Sequence, residues 1–240
     1  MSVTPIKNSS LSKKEQVAGM FNNIAWRYDF LNHLLSLGVD HYWRWKAVRM
    51  LKREQPKLIL DVATGTGALA LAAMKLKPEK IFGIDISEDM LKIGRTKIKS
   101  KKLNDRIELL EGDSENMIFS DNKFDAIMVA FGVRNFENLS KGLMEFHRVL
   151  KPGSIALILE FSQPHNKIIQ QVYRFYSSRI LPLLGKKISR NKTAYQYLHD
   201  SVEAFPSGND FLHILEQAGF RETKCTPLTF GVVTVYTGRK

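Results

Sequence analysis

An α/β fold on an open, mostly parallel sheet follows from three features of this 240-residue chain. The apolar run Leu58-Ile59-Leu60-Asp61-Val62 breaks into Ala63-Thr64-Gly65-Thr66-Gly67, where glycines without a Cβ admit a tight turn and a close ligand. A second run, Ile81-Phe82-Gly83-Ile84, ends in Asp85, whose two oxygens suit a ribose diol. Strand-like and helix-like periods then alternate as βαβ units require. The chain closes on two strand-like runs near enough in sequence to pair as an antiparallel hairpin. A seven-stranded sheet is expected, with N-terminal helices before it and a helical insertion ahead of the last two strands.

Residues 1–11 look flexible. Ser12 and Glu15 then make a capping box, and Val17, Met20, Phe21, Ile24 and Ala25 recur at helical spacing. Short helices are expected over 28–36 and 40–53, the second carrying Trp43 and Trp45. Residues 1–53 therefore read as a helical cap over a core of residues 54–240. Strands are predicted near 57–62, 80–85, 106–111, 124–130 and 154–161, and helices near 67–76, 88–101 and 138–149. Ser87 suits the N-cap of the second of these helices. Lys151-Pro152-Gly153 is a stop signal that ends the third of these helices before the fifth strand. The insertion spans about 163–203. It leads into helices near 192–203 and 208–218 and strands near 220–227 and 231–238.

Composition narrows the function classes. At 44% hydrophobic residues the chain can bury a substantial core. Its single cysteine, Cys225, excludes an intramolecular disulfide and a cysteine-rich zinc cluster. The apolar runs fall short of the ~20 residues a membrane-spanning helix needs, and no secretory signal pattern opens the chain. The expectation is a soluble protein of a reducing cytoplasm. The net charge of +12 suits a polyanion or an anionic membrane face. From Ser162 through His199 stand Lys167, Arg174, Arg179, Lys186, Lys187, Arg190 and Lys192, and no acid. This stretch, rich also in apolar residues, reads as a helical cap with a solvated basic face. It reads equally as a membrane-facing lid for a greasy substrate, or least of all as a nucleic-acid contact. No His, Asp and Glu cluster shows metal-ligand spacing.

Two cofactors compete for the glycine turn. Gly65-Thr66-Gly67-Ala68-Leu69-Ala70 satisfies the dinucleotide pattern, and Asp85 serves either ligand. Asp113 and Ser114, closing the third strand, favour S-adenosylmethionine, because an acid there can accept a bond from the adenine amino group. The closing hairpin favours it too. Asp61 either attracts the cofactor's cationic groups or bonds loop amides. Met90 either packs near the adenine or sits in the core of its helix. Ala130, ending the fourth strand, is counted among the cofactor-binding positions with Gly65 and Gly67.

Tyr28-Asp29-Phe30-Leu31-Asn32-His33-Leu34-Leu35-Ser36, continuing to Trp43, resembles one signature of the menaquinone and ubiquinone biosynthesis C-methyltransferases. Arg148 through Ser162, with Lys151-Pro152-Gly153 and Glu160, resembles the other, and Phe131-Gly132-Val133-Arg134-Asn135 resembles the family's segment after strand four. Tyr195, Tyr197, Leu198, Ser201, Phe205-Pro206, Ala218-Gly219-Phe220, Thr229 and Gly231 continue the likeness, which covers the chain from about residue 14. Leu31, Asp40, Ala63 and Ser154 depart from the pattern; Asp40 stands where a histidine is frequent. The resemblance implies a Rossmann-like class I methyltransferase fold, S-adenosylmethionine as cofactor, and Thr66, Asp85, Asp113 and Ser114 as its contacts. It also implies a polyprenylated quinol as substrate, with a naphthoquinol preferred over a methoxy-benzoquinol.

Ring carbon becomes nucleophilic when a quinol hydroxyl loses its proton, so a base and a nearby positive charge are needed. Arg134, after strand four at the carboxyl edge of the sheet, is the main catalytic candidate; its other reading is an ion pair with a core carboxylate. Asn135 orients the same oxygen or caps the loop. Tyr28 bonds the quinol and Asp29 accepts a proton, or both lock helix packing. His33, His147 and His199 are weaker candidates for the base. The expected partners are the polyprenyl substrate and, transiently, an anionic membrane surface. No nucleic acid is expected, and self-association is left open. A nucleic-acid methyltransferase, a carboxyl or amine methyltransferase and a non-catalytic cofactor-binding scaffold are the rival classes.

Overall fold

The computed structural model describes residues 3–6, 9–164, 170–171 and 192–240. The expected insertion and its basic run lie largely outside them. Seven strands form one sheet: β1 (Leu58–Val62), β2 (Lys80–Asp85), β3 (Ile107–Glu111), β4 (Phe124–Ala130), β5 (Leu150–Phe161), β6 (Arg221–Leu228) and β7 (Val233–Arg239). Their order is β3-β2-β1-β4-β5-β7-β6. The first five are parallel, paired through registers such as Asp61 with Gly83 and Ile59 with Ala126, whereas β7 runs antiparallel to both β5 and β6. The central strands are apolar on both sides because helices cover both faces. On one face α2 (Asp40–Met50), α3 (Ala68–Ala73) and α4 (Glu88–Ser100) bury Trp43, Leu69 and Leu91. On the other, α5 (Leu139–Val149) and α7 (Asn209–Gln217) bury Leu143, Phe146, Phe211 and Leu215. Helix α6 (Lys192–Ala204) precedes α7.

Local chemistry sets the helix starts. Ser87 Oγ accepts from the Met90 amide at α4, and Asn138 Oδ1 from the Lys141 amide at α5. At α1 (Lys13–Leu35), Ser12 and Glu15 make the reciprocal capping box that the sequence predicts: the Ser12 amide donates to Glu15 Oε2 at 2.8 Å and the Glu15 amide to Ser12 Oγ at 3.2 Å.

Two expectations are corrected. The separate helix over 28–36 does not exist, because α1 runs unbroken for 23 residues to Leu35. Its second half turns Trp26 and Phe30 outward, which disguises the helical phase. Strand β5 begins at Leu150 rather than 154; Lys151-Pro152-Gly153 does end the helix, but lies within the strand. The register there jumps from Phe124↔Leu150 to Ala126↔Ile155, as a bulge does.

Candidate active site

Strands β1 to β4 end side by side, and α1 crosses above them to form a cavity that opens to solvent. Helix α1 contributes Lys14, Val17, Phe21 and Tyr28 to its walls. The strand ends contribute Ala63, Gly65, Asp85, Gly112, Asp113, Ser114, Ala130, Phe131, Gly132 and Asn135, and α4 contributes Met90. The floor is the glycine turn. Gly65 (φ +55°) and Gly67 (φ +77°) occupy the left-handed region, and a Cβ at Gly65 would stand 3.3 Å from Met90 Cε. The turn is tied to β2: the Thr64 amide donates to the Ile84 carbonyl (3.0 Å) and the Gly65 amide to Asp85 Oδ2 (2.8 Å).

Two carboxylates give this end of the cavity its chemistry. Asp85 accepts the Gly65 and Ser87 amides, one on each oxygen, and burial raises its pKa to about 6 against those bonds. Asp61 lies beneath the turn, 1% exposed, with Oδ2 accepting from Thr64 Oγ1 (2.7 Å) and the Ala70 amide (3.0 Å). Its Oδ1 has no hydrogen-bond partner among the described residues, and burial raises its pKa to about 7. A buried acceptor without a partner beside a second carboxylate fits a ligand that brings donors and positive charge. S-adenosylmethionine brings both, in its ribose diol, ammonium and sulfonium, and the glycine cradle leaves its backbone room.

The other cofactor candidates divide. Gly65, Asp85, Met90, Asp113, Ser114 and Ala130 line the cavity. Asp113 is also held from α1, its Oδ2 taking Lys14 Nζ at 2.6 Å while Oδ1 takes the Glu115 amide. Thr66 and Gly67 do not line it. The Thr66 hydroxyl donates to Asp29 Oδ1 at 2.6 Å, and Lys97 pairs with the other oxygen of Asp29. That places Asp29 in a latch between α1, the glycine turn and α4.

Tyr28 and Asn135 face the cavity with Phe21, Phe131 and Phe136. Arg134 lies just behind, buried, its Nη1 donating to Glu160 Oε1 (2.7 Å) and the Phe131 carbonyl (2.6 Å). Its guanidinium stacks 5.3 Å from the Phe161 ring centroid, and its Nε has no partner among the described residues. Burial raises the pKa of Glu160, and Arg134 opposes that rise. The core ion pair considered for Arg134 is therefore present. Behind Asn135, the Tyr197 hydroxyl donates to its Oδ1 at 3.0 Å, and burial pushes that phenol up to about 12.

Among the described residues no histidine lines the cavity, and His33, His147 and His199 lie elsewhere in the fold. His147 packs edge-on against Phe220, its pKa lowered by burial; His199 lies 3.6 Å from Glu203. His33 bonds Asp40, and with His41 these residues bring ligand-capable atoms within 4.8 Å of one another, a grouping the linear spacing did not show. Asp40 is already engaged there by Ser36 and by Arg44 at 2.6 Å.

Sequence reasoning missed Lys14 and gave Glu160 no role in the site. Glu160 had a visible signal, an acid ending an otherwise apolar strand. Lys14 had none, since its partner is 99 residues away. Ala63 takes a left-handed conformation (φ +51°), and Gly132 packs against it so closely that a Cβ on Gly132 would stand 2.6 Å from the Ala63 Cβ.

A model described as the ubiE/COQ5 methyltransferase family matches residues 9–240. A demethylmenaquinone methyltransferase of Bacteroides fragilis is 46% identical over 239 residues, covering 99% of this chain and 97% of that protein. A ubiquinone/menaquinone biosynthesis C-methyltransferase of Geobacter sulfurreducens is 44% identical over 230 residues, covering 95% and 90%. Among solved structures, a methyltransferase of Thermotoga maritima described as a possible histamine N-methyltransferase superposes with a TM-score of 0.66. At 19% identity, over 93% of this chain and 99% of that one, it shares the fold. The glycine turn, the two buried carboxylates and a family match over nearly the whole length agree: this chain belongs to the ubiE/COQ5 methyltransferase family, enzymes that take their methyl group from S-adenosylmethionine.

Proposed function

We propose that this enzyme methylates a ring carbon of demethylmenaquinol, a 2-polyprenyl-1,4-naphthoquinol, to give menaquinol. The observation that carries the reading is the make-up of the cavity wall, which sets the carboxylates Asp85 and Asp113 among the aromatic rings of Phe21, Tyr28, Phe131 and Phe136, with one amide, Asn135, facing in. The names of the Bacteroides fragilis and Porphyromonas gingivalis relatives support it, the latter 42% identical over 240 residues. The Geobacter relative's name spans both ubiquinone and menaquinone biosynthesis, and so carries a second reading, a benzoquinol substrate.

In this reading Asp85 holds the ribose diol, Asp61 the cationic amino-acid part, and Asp113 with Ser114 the adenine edge, beside Met90 and Ala130. When bound, S-adenosylmethionine supplies an electrophilic sulfonium methyl that an electron-rich carbon can take. The protein's task is to make that carbon electron-rich. At Tyr28 burial raises the phenol pKa, and the Asn32 side chain and then the Arg134 charge oppose the rise; at Tyr197 Arg134 again opposes it while its partner Glu160 adds to it. A quinol hydroxyl entering beside Asn135 feels that field, so it gives its proton to solvent at the open side of the cavity more readily and the oxyanion is stabilised; once the ring carbon has taken the methyl, its own hydrogen leaves as a proton and the ring regains aromaticity. Asn135, fixed by Tyr197, and Tyr28 orient the oxygen. Asp29 and Thr66 hold α1 closed, which excludes water and fixes the reacting groups near one another. Glu160 keeps Arg134 in place. The polyprenyl tail makes the substrate membrane-borne, so the enzyme meets it at an anionic membrane surface, from the cytoplasmic side. No helix among the described residues is long and apolar enough to cross a membrane.

An anaerobic assay with methyl-labelled S-adenosylmethionine tests the reading, offering reduced demethylmenaquinone and the benzoquinol analogue side by side. Label should enter the naphthoquinol ring, and Arg134→Gln should cut transfer by roughly 10²-fold or more while cofactor binding persists. Label in the benzoquinol alone favours the second reading; label in neither overturns both.

A further inference from the structure

Half of the exposed large apolar side chains among the described residues come from one stretch of twenty: Trp26, Phe30, Leu37, Tyr42 and Trp45. Their spacing makes them a surface. Trp26, Phe30, His33 and Leu37 follow one stripe of α1 into the turn after it, and His41, Trp45 and Arg49 follow one stripe of α2. The stripes meet where the His33 and His41 rings lie 5.1 Å apart, and Tyr42 leans on Trp45 at 6.0 Å. Cations are threaded through the aromatics: Arg27 stands 3.8 Å over Trp26 and Arg49 5.2 Å over Trp45. Across residues 26–53 there are six lysines and arginines against two acids, Asp29 and Asp40. Both acids are engaged within the fold, by Thr66 with Lys97 and by Arg44.

We propose that this outer face of α1 and α2 docks on an anionic lipid bilayer. The occupant follows from chemistry. Tryptophan and tyrosine interleaved with arginine match the headgroup depth of a membrane, where the rings take the apolar side and the guanidinium groups take lipid phosphates. The inner faces of the same two helices serve the cavity: Tyr28 lines it, and Trp43 packs 5.9 Å from Phe131, which also lines it. Docking this face therefore puts only two helices between the bilayer and the ring-binding slot. The inference deepens the proposed function and rests on it for the lipid-borne substrate. It adds the α1–α2 face to the basic run of Ser162 through His199, most of which lies outside the described residues, as a surface for membrane contact.

The chain has three tryptophans, and of these Trp26 and Trp45 are exposed while Trp43 is buried, so their emission reports docking. The full chain is mixed with vesicles of phosphatidylglycerol and phosphatidylethanolamine, with and without brominated acyl chains, and with phosphatidylcholine vesicles. Co-sedimentation with the anionic vesicles and quenching by brominated chains are expected. Trp26→Ala/Trp45→Ala and Arg27→Glu/Arg49→Glu should each weaken co-sedimentation by roughly tenfold or more. Both variants should keep wild-type transfer to a tail-less naphthoquinol in lipid-free solution. Binding that is unchanged in both variants, or absent in the wild type, overturns the proposal. So does a wild-type dimer that the variants dissociate in sedimentation velocity, because a second copy would then own the face. Vesicle binding without methylation of any quinol would instead sink the proposed function and leave the docking face standing.

Discussion

At the scale of single residues the site is organised around buried charge. Asp61 and Asp85 are raised to about 7 and about 6 because burial disfavours their ionised forms. The folded protein thus holds protons that the unfolded chain has already lost above about pH 4, so these groups favour folding at low pH. That contribution fades as pH climbs through about 6 and 7. Cofactor binding has the opposite sign, since a cationic ligand with hydroxyl donors wants both carboxylates ionised. The melting temperature of the ligand-free protein should therefore carry a component that falls between pH 5 and 8 while S-adenosylmethionine affinity rises. Asp61→Asn should flatten both trends, as scanning fluorimetry and titration calorimetry across that range would record; an unchanged pH profile would contradict it. Asp61, Asp85 and the glycine turn were legible in the sequence because they are neighbours on consecutive strand ends. Arg134 was legible as a candidate, but its Glu160 partner was not, since the two meet only when β4 and β5 pair.

At the scale of elements, α1 decides whether the cavity is closed. Its fastenings include Lys13 Nζ to the Arg134 and Phe136 carbonyls, Lys14 to Asp113, Asn22 to Ser87, and Asp29 to Thr66 and Lys97. These bonds tie one helix to β4, β2 and α4 segments that also bound the cavity. Thr66→Val keeps the side-chain volume and removes one fastening, at a cost of about 1 kcal/mol. Amide exchange should quicken along the second half of α1, and cofactor affinity should drop several-fold, while the sheet exchanges as before. Exchange in α1 no faster than in the wild type would show that the latch does not hold the helix. The sequence exposed the start of α1 through Ser12 and Glu15 but not its length. From Met20 to Ser36 there is no glycine or proline to end a helix, yet Trp26 and Phe30 face solvent, so the apolar period breaks where the backbone does not. The same outward residues make the proposed docking face, so the place where pattern reading failed is also where a function is inferred.

At the scale of the whole molecule, the seven strands, the antiparallel closing pair and the placement of the ligand end at the carboxyl edge were readable from alternation and the closing hairpin, whereas the strand order, with β7 between β5 and β6, emerged only in the fold. What was not readable was which long-range pairs assemble the second half of the cavity, such as Lys14 with Asp113 and Tyr197 with Asn135. The central claim is that the glycine turn, Asp61 and Asp85 under α1 form a site for one sulfonium nucleoside. Titration calorimetry of the full chain near pH 7.5 tests it most directly, comparing S-adenosylmethionine, its demethylated product and a nicotinamide dinucleotide. Saturable one-to-one heat with the first two, lost in Asp85→Ala, is the expected result. Heat with the dinucleotide and none with either sulfur nucleoside would contradict the account.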